Sequence, residues 1–240
     1  MVSLSELDEE RFGIRVARDS AVTDESLITA LDFCRCNNVR LLITRCRTAD
    51  LRTAQAIENA GGRLMDTLIC YRHSLRDILV ADSPRALTIR ALRPEEAATI
   101  RTIAAQSFRG YLGHYHADPR LDRALCDETY ADWAYRSCTS RSVANEVLVG
   151  EFDGTVVGFV TLQINDAAEA EVPLNGVLPN YQGRGVYRCM LSYALSWART
   201  KGCERLVIST QVTNSVQKLW VRLGFEPSHS FYTFHSWFDT

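Results

Sequence analysis

Apolar and polar positions along the first third of the chain alternate between strand-like and helix-like spacing. Two amphipathic stretches separate three β-rich runs, which are residues 15–18, 39–45 and 63–71. Thr23, followed by acidic residues, is a typical helix N-cap, and Gly61-Gly62 ends a second helix over residues 50–59. The pattern predicts a small βαβαβ unit, which the segment 75–85 connects to the rest of the chain.

The rest of the chain predicts the element order β-α-α-β-β-β-α-β-α-β. Asp153-Gly154, between two alternating apolar runs, is a strong hairpin signal. The predicted strands are 87–92, 147–152, 156–164, 169–178, 205–211 and 231–238, and the predicted helices are 94–108, 121–138, 182–200 and 214–223. No internal repeat is apparent. We therefore predict an α/β (α+β) fold with two domains, residues 1–85 and residues 86–240.

Composition and charge narrow the class of protein. The 240 residues are 46% hydrophobic and 23% charged, with a formal net charge of -2, which gives no general attraction to nucleic acid or to an anionic membrane. No apolar run has membrane-spanning length and no signal-peptide pattern follows Met1, so we expect a cytoplasmic protein. The eight cysteines form no C-x-x-C pair, so we expect reduced thiols rather than disulfides or a zinc site.

The segment 177–187, Val-Leu-Pro-Asn-Tyr-Gln-Gly-Arg-Gly-Val-Tyr, joins a predicted strand to a predicted helix. Its glycines let the backbone approach a ligand closely, and a helix N-terminus offers free N–H groups with partial positive charge. The segment therefore predicts a phosphate or pyrophosphate site, with Arg184 as an added cation. It has neither the Lys-Ser/Thr of a P-loop nor the third glycine of a dinucleotide fingerprint, since Arg188 stands there.

The spacing that remains is Q-x-x-G-x-[small], which resembles the acyl-CoA pyrophosphate loop of the GNAT acetyltransferases. Gln182 and Gly185 match this loop, and Tyr187 departs from it at the small position. Downstream, Asn214 and the segment Leu219-Trp-Val-Arg-Leu-Gly-Phe225 resemble the C-terminal motif of the same family. The resemblance covers residues 86–240 and implies a GNAT fold, in which the central sheet is mixed and splayed.

Within this family, the layout is similar to that of the dTDP-fucosamine (dTDP-4-amino-4,6-dideoxygalactose) acetyltransferases, which place a small αβ domain before the GNAT domain. The resemblance implies direct transfer from acetyl-CoA to a primary amine, and a nucleotide-linked amino sugar is the expected acceptor. Another small amine, a peptide N-terminus or a non-catalytic acyl-CoA-binding module are the alternatives. The oligomeric state, a homodimer included, is left open, and no metal is expected.

The resemblance also implies which residues bind acetyl-CoA. Their backbone is expected to hydrogen-bond the pantetheine arm along Gly176, Val177 and Leu178. The pyrophosphate is expected at Gln182, Gly183, Arg184, Gly185 and Val186, with Tyr187 beside them. Asn214 and its helix are expected to lie along the acyl-CoA.

Two positions are expected to carry the chemistry. Glu171 lies shortly before Gly176, where some family members have a catalytic glutamate, and a partly buried cleft would raise its pKa. The alternative is a solvated carboxylate paired with a cation, and Glu169 shares the same alternation phase. Trp220 stands where relatives often have a tyrosine that protonates the departing thiolate. An indole is not a general acid near neutral pH, so Tyr187 or Tyr232 is a candidate substitute.

We expect the acceptor site in the loop that contains Tyr111, His114, His116 and Asp118. Aromatic rings and polar groups of this kind suit a sugar nucleotide. His114 and His116 also match part of a metal site, but the pattern lacks a third ligand. Exposed histidines without a role are the other alternative.

Overall fold

The computed structural model describes residues 1–79 and 84–238. Its strands are β1 (Ser3–Leu4), β2 (Val16–Asp19), β3 (Leu41–Arg47), β4 (Arg63–His73), β5 (Leu87–Ala91), β6 (Glu146–Phe152), β7 (Thr155–Ile164), β8 (Glu169–Val172), β9 (Asn175–Val177), β10 (Arg205–Gln211) and β11 (Glu226–Trp237). Its α-helices are α1 (Glu6–Phe12), α2 (Asp24–Cys36), α3 (Leu51–Asn59), α4 (Ala97–Ser107), α5 (His114–Ala117), α6 (Arg123–Thr139), α7 (Val186–Thr200) and α8 (Gln217–Arg222). The predicted connection over residues 75–85 falls partly on residues 80–83, which lie outside the described residues.

One sheet runs in the order β1-β2-β3-β11-β4-β10-β8-β7-β6-β5, and β9 pairs with β7. The pairs β2–β3 and β8–β10 are parallel, and the other neighbouring pairs are antiparallel. The predicted α/β fold with a mixed sheet is confirmed. Helix α7 covers the second half of the sheet with a face that includes Met190, Leu191 and Leu195, all fully buried.

The six inner strands come from two segments of the chain that have the same βαβαβ order. The last strand of each segment lies next to strands of the other segment. The elements β2-α2-β3-α3-β4 return later as β8-α7-β10-α8-β11, and β11 lies between β3 and β4 while β4 lies between β11 and β10. The sequence shows no such repeat because a shared topology requires only a shared apolar pattern. Strands from residues 1–85 and from residues 86–240 thus belong to one continuous sheet, and the division into two domains stays a prediction.

Several predicted boundaries differ from the observed ones. The short elements α1 and α5 were not predicted, and β11 begins at Glu226 rather than at residue 231. The helix predicted from residue 182 begins at Val186, because residues 182–185 form the turn that precedes it. The strand predicted over residues 169–178 is interrupted and forms β8 and β9.

Pro173 lies at this interruption, where it has no N–H to donate to a neighbouring strand. Thr161 of β7 stabilises the interruption between β8 and β9. Its hydroxyl accepts the Leu174 N–H at 2.9 Å, and its own backbone N–H donates to the Leu174 carbonyl at 2.8 Å. Pairing between β8 and β10 ends at Val172 and Ile208, and β9 then pairs with β7. The strands therefore splay, as the resemblance implied, and open a cleft.

Among the residues that the structure describes, no helix is both long and apolar enough to cross a membrane.

Candidate functional site

A cavity of about 1540 Å³ lies over the cleft, between one face of the sheet and helices α4, α5 and α6. Paired strand residues share a face of a sheet, and alternate residues of one strand do too. By this rule Arg45, Leu68, Gln211 and Glu171 all point to the cavity side. The volume exceeds the roughly 300–1,000 Å³ typical of a site for one small ligand. The cavity therefore has room for two ligands side by side.

The turn before α7 forms one end of the cavity. Gly183 and Gly185 have φ values of 75° and 83°, in the left-handed region that favours glycine. The backbone N–H groups of residues 183–187 donate to no acceptor within residues 1–79 and 84–238. The Gln182 side chain donates to the Val177 carbonyl at 3.1 Å and so braces the turn. Free N–H groups at a helix N-terminus, beside Arg184, fit a pyrophosphate.

Strand β9 presents a free edge to the cleft. In an antiparallel pair, hydrogen-bonded and non-hydrogen-bonded residues alternate. Leu174 and Leu178 both bond to β7, through Thr161 and through the Val157 carbonyl, which sets the parity of the ladder. The N–H group of Val177 is therefore directed away from β7, toward the gap. This places the free hydrogen-bonding edge at Val177 rather than at Gly176 or Leu178.

The structure brings most of the predicted site residues to the cavity wall. Those that line it are Tyr111, His114, Glu171, Gly176, Val177, Gln182, Gly183, Arg184, Gly185, Val186, Tyr187, Asn214 and Trp220. Three predicted residues do not line it. Leu178 packs in the apolar core, His116 turns toward Asp127 at 3.1 Å, and Asp118 lies behind His235.

Glu171 and Glu169 have different surroundings in the structure. Glu169 forms an ion pair with Arg205 at 2.7 Å. Glu171 lines the cavity and accepts a hydrogen bond from Asn165 at 3.2 Å. Burial raises the pKa of Glu171, and the hydrogen bond from Asn165 only partly offsets this effect. A carboxylate with a raised pKa in a cavity suits the removal of a proton from an amine.

Trp220 and Tyr187, the two departures from the family pattern, contact each other. Trp220 is fully buried, and its Nε1–H donates to the Tyr187 hydroxyl at 3.0 Å. This bond leaves the Tyr187 O–H itself free to donate toward the cavity. Burial raises the pKa of Tyr187, so the hydroxyl keeps its proton. Tyr232, the other candidate acid, packs against α2 and α3 on the opposite face of the sheet and lies away from the cavity.

A buried chain of three side chains supports the acceptor end. Asp118 accepts a hydrogen bond from Nδ1 of His235 at 2.7 Å, and Nε2 of His235 contacts Nδ1 of His114 at 2.9 Å. Burial raises the pKa of Asp118, but bonds from His235, Trp237 and the Arg120 N–H outweigh burial and hold it below its usual value. An ionised Asp118 only accepts, so His235 donates from Nδ1 and accepts at Nε2 from His114. Nε2 of His114 is then left as a proton acceptor.

The hydrogen-bonded side chains of Asp118, His235 and His114 predict that the stability of the protein depends on pH. Burial lowers the pKa of His114 well below the ordinary 6.5, and the nearby charges of Arg45 and Arg18 add to this effect. The unfolded state then binds a proton more readily, so this contribution to stability is complete above pH 6.5 and is lost as the pH falls below it. Urea unfolding at pH 7.5 and 5.5 should show a loss of about 1 kcal/mol from this group. His114→Asn keeps a donor toward His235 and should flatten the dependence; an unchanged slope would contradict the assignment.

Aromatic rings form the wall opposite the sheet. Phe108 and Tyr130 stack with centroids 4.5 Å apart, and Tyr111 meets Tyr130 edge-on at 5.1 Å. The Tyr111 hydroxyl donates to Gln211, and burial raises the pKa of Tyr111 to about 12. Rings in this arrangement offer flat apolar surface to a base or a sugar ring.

Sequence reasoning missed the side chains that the strand exchange brings to the cavity. Arg18 and Arg45, from β2 and β3, line the acceptor end, and His235 from β11 supports His114. An arginine within the apolar run of β3 was the available signal for Arg45. The described residues contain no group of three or more His, Cys, Asp or Glu side chains arranged to hold a metal ion.

Comparison with known proteins identifies the family. The profile of the acetyltransferase (GNAT) family matches residues 100–225, which are 126 of the 240 residues and thus more than half of the chain. Two curated relatives are each 26% identical to it. The spore coat polysaccharide biosynthesis protein SpsD of Bacillus subtilis matches over 60% of this chain, and the mycothiol acetyltransferase of Saccharopolyspora erythraea matches over 68%. The chain spans about half the length of both, 48% in each case.

Solved structures share the fold. A GCN5-related N-acetyltransferase from Kribbella flavida superposes with a TM-score of 0.64 at 16% identity, over 92% of this chain and 81% of that one. A tandem GNAT protein from the clavulanic acid biosynthesis pathway superposes with a TM-score of 0.67 at 14% identity, over 94% of this chain and 76% of that one. At these identities, the likeness concerns the fold alone.

Proposed function

Because the chain belongs to the acetyltransferase (GNAT) family, we propose that it transfers an acetyl group from acetyl-CoA to the amine of a nucleotide-linked amino sugar. One observation carries the reaction: a turn with free N–H groups, a free strand edge and a half-buried carboxylate with a raised pKa meet in a single cavity. Acetyl-CoA supplies an activated thioester. The residues of this chain then have to hold it, orient the amine and accept a proton.

Each part of the cavity fits one of these tasks. The N–H groups of residues 183–187, with Arg184, bind the pyrophosphate at the N-terminus of α7. The N–H of Val177 donates to the ligand along β9 and stabilises negative charge that develops on the thioester oxygen. Glu171 accepts the proton of the amine, directly or through water. Asn214 shapes the far wall and caps its own turn by accepting the Val216 N–H at 3.0 Å.

The proposed acceptor rests on the shape of the remaining space and on one relative. The aromatic wall of Phe108, Tyr111 and Tyr130 offers stacking surface for a base or a sugar. The relative SpsD is named for the biosynthesis of a spore coat polysaccharide. A different small-molecule amine is the second candidate, because another relative is named a mycothiol acetyltransferase.

Thioester turnover tests the proposal. The protein is incubated with acetyl-CoA and a panel of amines, namely dTDP- and UDP-linked amino sugars, free amino sugars, amino acids and a peptide. Chromatography follows the free CoA and the acetylated product. Acetylation of a nucleotide-linked sugar with the highest kcat/KM supports the proposal. Binding of acetyl-CoA without transfer to any amine would identify a non-catalytic module instead.

The contact between Trp220 and Tyr187 leads to a further prediction. Tyr187→Phe removes the hydroxyl that accepts the hydrogen bond of Trp220, and with it the candidate proton donor to the departing thiolate. A CoA thiolate is a good leaving group, so we expect kcat to fall about 10-fold, less than the usual 10²–10⁴ for a general acid. Tyr181→Phe, on the same wall, is the matched control and should leave kcat unchanged. Equal kcat values in both variants would remove Tyr187 from the mechanism.

A further inference from the structure

The cavity carries far more positive than negative charge. Its described lining residues include seven arginines and one carboxylate, that of Glu171. Arg184, Arg188 and Arg222 lie on the turn, on α7 and on α8, at the end where the phosphates of acetyl-CoA are expected. These three are accounted for by the cofactor. The other four lie toward the acceptor.

Three of those four arginines already have partners. Arg11 and Arg136 both form ion pairs with Asp132, at 3.0 Å and 2.9 Å. Arg18 forms an ion pair with Asp8 and donates to the hydroxyl of Tyr115. These contacts join α1, β2, α5 and α6, so packing alone explains the three arginines.

Arg45 differs from them. Its guanidinium lines the cavity from the middle of β3, and it forms no hydrogen bond or ion pair with any residue of 1–79 and 84–238. Asp66 on β4 attracts it electrostatically but lies beyond ion-pair distance. Burial, together with the charge of Arg18, lowers the pKa of Arg45, although an arginine stays protonated at neutral pH. A positive charge held in a cavity without a partner is costly unless a ligand supplies the counter-charge.

Two neighbours define what such a ligand can be. His114 faces the same space and is held neutral, so it adds no second positive charge beside Arg45 and provides no counter-charge. Glu171 lies close enough for the charge of Arg45 to lower its pKa. One acceptor molecule can thus reach from Arg45 to Glu171. Arginine binds planar or tetrahedral oxyanions well, because its N–H groups form a rigid fork.

We infer that the acceptor carries an anionic group, a phosphate or a carboxylate, which binds Arg45 while its amine lies at Glu171. The inference rests on the proposed acetyl transfer. It assigns substrate selection to the N-terminal strands, which the exchange of β4 and β11 brings under the catalytic cleft. A neutral amine of the same shape should bind more weakly.

Calorimetric titration of the CoA-saturated protein tests this without turnover, since CoA fills the pyrophosphate site. Two ligand pairs differ only in the anion: glucosamine 1-phosphate against glucosamine, and tyrosine against tyramine. We expect the anionic member of one pair to bind about 10- to 100-fold more tightly than its neutral partner. The pair that shows the difference distinguishes phosphate from carboxylate.

Arg45→Gln should abolish this preference, and Arg45→Lys should restore part of it. Arg47→Gln is the matched control, because Arg47 lies two residues along the same strand, exposed and outside the cavity. An unchanged affinity for CoA shows that the variants are folded. Equal affinity of the wild type for anionic and neutral members in both pairs, or equal losses in the two glutamine variants, would overturn the inference. An anion preference without acetyl transfer would leave this subsite standing and refute the proposed reaction alone.

Discussion

Glu171→Gln is expected to lower kcat by about 10²- to 10⁴-fold, the range typical of a general base, while the affinity for acetyl-CoA stays unchanged. The substitution keeps the size of the side chain and an oxygen that accepts from Asn165, so the strand should not be disturbed. What is lost is the ability to take a proton from the amine. Steady-state kinetics with a confirmed acceptor, together with a thermal shift on adding CoA, separates the two effects.

Glu169→Gln provides the matched control. Glu169 is two residues away on β8 and forms an ion pair with Arg205, so its loss should change kcat less than twofold. The base must be unprotonated, so in the wild type kcat/KM should fall as the pH decreases through the raised pKa of Glu171, above the ordinary 4.5 of a glutamate. Full activity of Glu171→Gln, or an acid limb that survives the substitution, would assign the base to another group.

Local patterns along the sequence were sufficient to predict most of the helices and strands. Apolar periodicity of 3.6 residues marks α2, α3 and α7, and alternation marks β6 and β7 around the turn at Asp153-Gly154. The break between β8 and β9 was missed, although Pro173 signals it. Alternation continues across the proline, and the partner that fills the gap, Thr161, belongs to another strand.

A local sequence pattern could not predict the exchange of strands between the two halves of the sheet. β4 and β11 are each predicted as strands, but which neighbours they take depends on contacts between residues more than a hundred positions apart. For this reason Arg18 and Arg45 were absent from the predicted site. A strand pattern shows which residues alternate, and only the sheet order shows which of them face the cavity.

The candidate site also has parts that the local sequence predicts and parts that it does not. The turn over residues 182–185 was predictable because its glycines and the following helix are contiguous in sequence. The loop histidines were predicted as a group, but their roles differ: His114 joins a chain through His235, and His116 contacts Asp127 instead. Tyr187 and Trp220 each departed from the family pattern. Their mutual hydrogen bond across 33 positions gives the two departures one structural explanation.

Asp118→Ala is expected to produce the largest loss of stability. Asp118 is buried and accepts hydrogen bonds from His235 at 2.7 Å and from Trp237 at 2.8 Å, both on β11. Its removal leaves the buried His235 and the half-buried Trp237 without an acceptor for their N–H groups, and each loss costs about 1–3 kcal/mol. The free energy of unfolding should therefore fall by about 2–6 kcal/mol, a large part of the 5–15 kcal/mol typical of a folded domain.

Asp122→Ala is the control, since Asp122 is an exposed cap at the start of α6 and its loss should cost only about 1 kcal/mol. Urea unfolding of both variants measures the difference. The site should respond as well, because His235 loses the acceptor that holds its Nδ1 proton, and His114 then loses its defined orientation at the acceptor end. Acceptor KM should then rise while the affinity for CoA, bound at the other end of the cavity, is kept. A loss of stability no greater than that of Asp122→Ala would mean that water replaces the carboxylate and that β11 does not depend on it.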